Sequence, residues 1–197
     1  MHKKIITILL TSTLLFGNIL SVSAKSAKNE LGFVQLIGDV SQSKYDTAIS
    51  NYCKIPENVR ERFQLDGWTL TITTENLEDT WFAGWGIPVA SGYDYLLKEI
   101  RLENTKNGVN AVVHEMGHFV DYKLGFISNS EDWQNIWKTE YTTKYGNSSS
   151  LEGFAESFEH TFMYGEKYKK THPLSYVFIM DACSKIDGLP EETENDG

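Results

Sequence analysis

The chain is poor in cysteine, in basic residues and in long apolar runs, and each shortage closes a class of function. Two cysteines, Cys53 and Cys183, are too few for a four-cysteine zinc site or a multiply bridged small scaffold. They leave two options open: one disulfide tying an early segment to a late one, or two separate thiols. Lys and Arg number 18 against 27 Asp and Glu, with no basic stripe among them. Such an acidic chain repels phosphate backbones and anionic lipid, so nucleic acid is not an expected partner. Only residues 5–20 form an extended apolar run, and it is short and interrupted for a membrane span.

That run has the layout of an export signal. Lys3 and Lys4 precede it, and Val22, Ser23 and Ala24 supply the small residues of a cleavage site. Residues 1–24 are therefore expected to be a signal peptide. Their loss leaves 173 residues with 16 bases against 27 acids, a formal charge of −11. This length suits one domain, residues 25–186, followed by an acidic tail, residues 187–197, with five acids and no base. A secreted, extracellular monomer is expected, with no stable membrane insertion after signal cleavage.

Local patterns place strands in the first half and helices in the second. Residues 33–37 and 68–74 read as strands, residues 43–53 as a helix, and Pro56 opens another that ends near Gly67. A loop rich in tryptophan and glycine follows at 81–86, then an extended segment at 96–102 and a turn at 104–108. From Val109 the period becomes helical. Val109, Val112, Val113, Met116 and Val120 form a stripe for burial, with Gly125 as the stop. Further helices are expected at 131–145, 151–164 and 173–186. The fold class is α+β.

The chemistry lies in His114-Glu115-Met116-Gly117-His118. On a helix, residues four apart share one face about 6 Å apart, so two imidazoles can meet one zinc ion at roughly 2.0–2.1 Å each. Glu115 is turned about 100° away, too far round for a natural third ligand but close enough to act on a water at the metal. The histidines fall opposite the burial stripe, where they either line a cleft or face solvent. A peptidase site needs a third protein ligand and one open position. Glu152, Glu156 and Glu159 share one stripe of the 151–164 helix, and spacing does not choose among them. Ser149 with Glu152 also fits a capping box. Asp121, on the histidine side of its helix, is either a support for the site or a surface ion-pair partner.

Taken together, His114-Glu115-x-Gly117-His118-x-Val120-Asp121, Tyr145-Gly146 and Glu152-x-Phe154-Ala155-Glu156-x-Phe158 resemble the catalytic domain of anthrax toxin lethal factor. They are similar too to the secreted Pro-Pro endopeptidases of the same metallopeptidase group. The likeness runs from about Gly92 to Ile186 and includes Pro173-x-Ser175-Tyr176-x-Phe178. It implies a zincin-like metallopeptidase domain with the active-site helix between a small strand-containing half and a helical half. It implies one Zn2+ held by His114, His118 and Glu152, with Glu156 orienting a histidine ligand and Tyr145 donating to the oxyanion. Spacing alone would leave Tyr145 a surface tyrosine.

In peptidases of this kind an extended substrate pairs with an edge strand above the zinc helix. Trp81 and Trp85 of the loop, with Leu97 and Ile100 of the following segment, are the expected substrate contacts. The tryptophans serve equally well as core or lid residues. The function so read is a secreted zinc-dependent endopeptidase acting on a protein or peptide. A cell-wall peptidase or amidase, and a non-catalytic binding module that kept the fold, stand as alternatives.

Overall fold

The β-branched and apolar runs of the first half build a four-stranded sheet. Its strands are β1 (Val34–Ile37), β2 (Thr69–Thr73), β3 (Ser91–Asp94) and β4 (Glu99–Glu103), in the order β1-β2-β4-β3. β1, β2 and β4 run parallel, and β3 pairs antiparallel with β4. A parallel neighbour needs a crossover, and helices α1 (Gln42–Tyr52) and α2 (Glu57–Leu65) supply it between β1 and β2. The structure, a computed structural model, describes residues 31–84 and 88–190. The expected signal peptide, Trp85 and the expected tail beyond Pro190 lie outside the described residues.

The extended segment expected at 96–102 is corrected to a hairpin. Residues 95–98 form its turn, where Asp94 Oδ1 accepts from the amides of Leu96 and Leu97 at 2.8 and 2.9 Å and Lys98 takes a positive φ of 52°. The strand that precedes the turn, β3, contains glycine and aspartate, weak strand formers that hid it from the pattern. Ile100 and Leu102 of β4 are fully buried, while Glu99 and Arg101, which alternate with them, are not.

Beyond the sheet the chain is helical: α3 (Lys106–Asn110), α4 (Val112–Lys123), α5 (Glu131–Glu140), α6 (Ser150–Tyr164), α7 (Glu166–Thr171) and α8 (Pro173–Lys185). The helix expected from Val109 is broken at Ala111 into α3 and α4, and the one expected to reach residue 145 stops at Glu140, with Tyr141 extended. α7 has no counterpart among the expected helices. The described part of the expected tail is held, since Arg62 donates to the carbonyls of Leu189 at 3.0 Å and of Pro190. Cys53 and Cys183 are separate free thiols, and burial pushes that of Cys183 up to about 12. No helix among the described residues is long and apolar enough to cross a membrane.

Two aromatic clusters anchor α4 and α6. Phe63, Trp68 and Phe119 meet edge-on or tilted at 5.1–5.7 Å, joining α2, the start of β2 and α4. Trp133, Phe154 and Phe178 do the same for α5, α6 and α8 at 5.2–6.3 Å. Truncating one such buried ring typically costs about 3–5 kcal/mol. The five residues of the valine and methionine stripe are all buried, and so is every residue of α4 from Val112 to Asp121. Its polar face is therefore covered too, and what covers it is the site.

Candidate active site

α4 and α6 cross at Gly117. A methyl group on Gly117 would sit 2.8 Å from Ala155 Cα and 3.0 Å from Phe158 Cβ, closer than carbons pack. Without it the two backbones meet, and side chains within one turn of the crossing converge. His114 Nε2 lies 3.2 Å and His118 Nε2 3.5 Å from the same atom, Glu152 Oε2. These three donor atoms lie within 4.8 Å of one another. The two imidazoles stand nearly perpendicular, at 84° with centroids 4.9 Å apart.

The fold also separates the three glutamates that spacing could not. Glu152 stands at the Nε2 side of His114, while Glu156 Oε1 lies 3.4 Å and Glu159 Oε2 4.0 Å from its Nδ1. Glu156 is thus placed to hold the ring by its far nitrogen. His118 is held differently, by the ring of Tyr93 stacked on it at 4.7 Å and 13°. Its Nδ1 is buried with no hydrogen-bond partner among the described residues. Asp121 makes no hydrogen bond to either histidine. Its carboxylate accepts from the amide and hydroxyl of Ser128 at 2.6 and 2.8 Å, fixing the turn after α4, and it reaches His118 only through its field. Fully buried, it is not the surface ion-pair partner that the sequence allowed.

The electrostatics of the cluster favour a cation. Burial alone would keep His114 neutral, yet the carboxylates of Glu152, Glu156 and Glu115 overcome this and lift it to about 10. Burial likewise works against ionised Glu152, but the two histidines hold it well below the usual carboxylate range. Two nitrogens and one oxygen converging in an acid-rich surrounding are a donor set suited to zinc.

Glu115 is buried, and its Oε1 accepts from Ser91 Oγ at 2.7 Å. Glu115 lines a cleft of about 480 Å³ together with Ser91, Tyr93, His114, His118 and Glu152. Ser91 and Tyr93 share one face of β3, the face turned toward α4. Sequence reasoning missed both, because it began the strand after them; alternation from Gly92 was the signal that could have found them. Tyr145 also lines the cleft, with its ring 5.9 Å from that of His114 and more than half its surface exposed. Partial burial and the nearby Glu152 carboxylate push its phenol well above the ordinary value, so it stays protonated.

Trp81 and Phe82 form part of the cleft wall. Arg101 sits 4.8 Å over the Trp81 ring, and Phe82 occupies the space that a side chain on Gly92 would fill. The other expected substrate contacts are corrected. Ile100 is fully buried in the sheet core and has no surface to offer. Leu97 is exposed at the hairpin turn, outside the cleft lining, where its neighbour Leu96 stands instead.

Residues 92–182 match the family model described as anthrax toxin lethal factor, N- and C-terminal domain. Among solved structures, that of the Pro-Pro endopeptidase PPEP-2 from Paenibacillus alvei is similar in fold. The TM-score is 0.62 at 19% sequence identity, over 76% of this chain and 97% of that one. No curated protein sequence matches the chain. The likeness to lethal factor thus lies in the sequence of residues 92–182, and that to the Pro-Pro endopeptidase in the fold.

Proposed function

We propose that the chain is a secreted zinc-dependent endopeptidase that hydrolyses peptide bonds of an extracellular protein. One observation carries this reading: two imidazole nitrogens and one carboxylate oxygen, from two crossing helices, converge beside a buried glutamate at the floor of an open cleft. His114, His118 and Glu152 would hold one zinc ion. Bound there, zinc would act as a Lewis acid that polarises the scissile carbonyl and makes water in the cleft more acidic.

The chain's own groups account for the proton and charge movements. Ser91 occupies one oxygen of Glu115, leaving the other to take a proton from the attacking water and pass it to the leaving amine. The protonated Tyr145 hydroxyl donates to the oxygen on which negative charge develops. β3, an edge strand of the sheet, borders the cleft and offers main-chain groups to an extended peptide. The described lining includes Asp94, Glu115 and Glu152 but no Lys or Arg, which disfavours acidic residues next to the cut bond. Export rests on the sequence of residues 1–24 alone, and a monomer without nucleic-acid partners on its acidic composition.

The test is mass-spectrometric mapping of cuts in a proteome-derived peptide pool, with and without a chelator. Cleavage that chelator abolishes and added zinc restores is the expected result. Activity on peptidoglycan alone, or none on either substrate, would overturn the reading.

Tyr145→Phe is expected to lower kcat by about 100-fold, since it removes one donor to the developing charge, with zinc content unchanged. Steady-state kinetics on a mapped peptide, with metal analysis, checks it. A turnover equal to wild type would leave Tyr145 as a cleft-wall side chain only.

A further inference from the structure

The segment joining α5 to α6 carries Tyr145 and touches the back of the metal cluster through one hydroxyl. Thr143 Oγ1 accepts from the amide of Gly146 at 2.9 Å, and the Thr143 carbonyl accepts from that of Asn147 at 3.0 Å. Together they cap the single turn from which Tyr145 projects. The same Oγ1 lies 2.5 Å from Glu156 Oε2. A threonine hydroxyl has one proton to give. The Gly146 amide is a donor, so that proton goes to the carboxylate, and the short distance fits a bond to an ionised acceptor. The other oxygen of Glu156 faces His114 Nδ1 at 3.4 Å.

The turn rests on this carboxylate as well. A methyl group on Gly146 would press on Glu156 Cβ and Cγ at 3.1 and 3.2 Å, and the Gly146 carbonyl accepts from Trp137 Nε1 at 2.8 Å. Thr143 is the point where the support of Tyr145 and the support of His114 become one connected structure.

We propose that Thr143 is a positioning residue that holds Glu156 against His114 and registers the Tyr145 turn to the metal-binding cluster. The inference rests on the metallopeptidase reading, but its first test is metal affinity rather than peptide cleavage. The full chain is stripped of metal, and zinc affinity is measured by competition with a chromophoric chelator. Thr143→Val, which removes the proton donor at nearly constant volume, is expected to weaken zinc binding about tenfold, the lower end for loss of an outer partner of a ligating histidine. Thr143→Ser restores it to within about twofold, because the hydroxyl returns. In a Glu156→Gln background, Thr143→Val has no further effect, because the threonine acts through that carboxylate. With a mapped peptide, kcat falls in Thr143→Val while KM is little changed, since a displaced oxyanion donor matters only in the transition state.

If Thr143→Val unfolds, Thr143→Ala removes the same donor without added bulk and serves in its place. Wild-type zinc affinity in the valine or alanine variant overturns the inference. So does a loss that persists undiminished in the Glu156→Gln background, which would reduce Thr143 to a cap of its own turn. In either case wild-type zinc binding and peptide cleavage would leave the functional reading standing. A wild-type chain that binds no zinc would remove both.

Discussion

Glu115→Gln is expected to keep its zinc and its fold and to lose at least about 10³-fold in kcat/KM, within the range for removal of a general base. At 1.36 kcal/mol per tenfold, that is about 4 kcal/mol of barrier. The three atoms that would hold the metal belong to His114, His118 and Glu152, and Glu115 is not among them. Glutamine has the shape of glutamate, and its amide oxygen can accept the Ser91 hydroxyl as Oε1 does now. The exchange therefore removes a proton acceptor and little else. Metal analysis, the thermal midpoint and steady-state kinetics on one preparation separate these effects. A variant that cleaves peptides at the wild-type rate would show that another group moves the proton. Ser91→Ala is the companion: it keeps the carboxylate and loses one hydrogen bond, so its loss should be far smaller than that of Glu115→Gln.

The contrast between those two variants marks what the sequence can disclose. Glu115 is legible from its place between two histidines on one helix. Ser91 becomes relevant only once β3 is recognised, and Gly92 and Asp94 made that strand look like a turn. The same slip in phase placed Leu97 and Ile100 at the substrate. One sits in the hairpin turn and the other points into the core, because side chains alternate along a strand and an offset reading assigns the wrong face. The valine stripe correctly gave the buried face of α4. It could not show that the opposite face is buried as well, since that burial comes from α6 and β3, elements distant in sequence.

The glutamates teach the same lesson at closer range. Glu152, Glu156 and Glu159 form one stripe, and nothing local ranks them. What ranks them is the crossing of α4 and α6, which sets Glu152 at Nε2 of His114 and Glu156 at Nδ1. Thr143 was invisible for a related reason. A threonine in a connecting segment has no pattern of its own, and its meaning lies in a contact with Glu156 thirteen residues away. Resemblance pointed to Glu152 and Tyr145 as candidates, but the contacts around each came from packing.

The crossing itself makes the second large prediction. Gly117→Val is expected to weaken zinc binding and turnover by about 100-fold each, the scale of a misplacement near 1 Å at a reacting centre. The added Cβ would meet Ala155 Cα at 2.8 Å, and carbons pack at about 3.5–4.0 Å, so the helices must part by roughly an ångström. The obstacle is backbone, which cannot rotate aside as a side chain would. Glu152 stands one turn before Ala155 on α6 and retreats with it, while His114 and His118 stay on α4. The histidine pair then keeps its spacing but loses the oxygen that closes the set. Two energies compete in the smaller change, Gly117→Ala. Replacing a helical glycine gains about 0.5–1 kcal/mol, whereas overpacking costs about 1–3 kcal/mol, so a net loss of stability is expected there too. Valine adds bulk without alanine's helix preference and should lie lower in both denaturant midpoint and zinc affinity. Chelator competition on the metal-free chains measures the affinity, and urea titration the stability. If Gly117→Val bound zinc as tightly as the wild type, the approach of these two helices would not be what sets the ligand distance. The glycine inside the histidine motif would then serve packing alone.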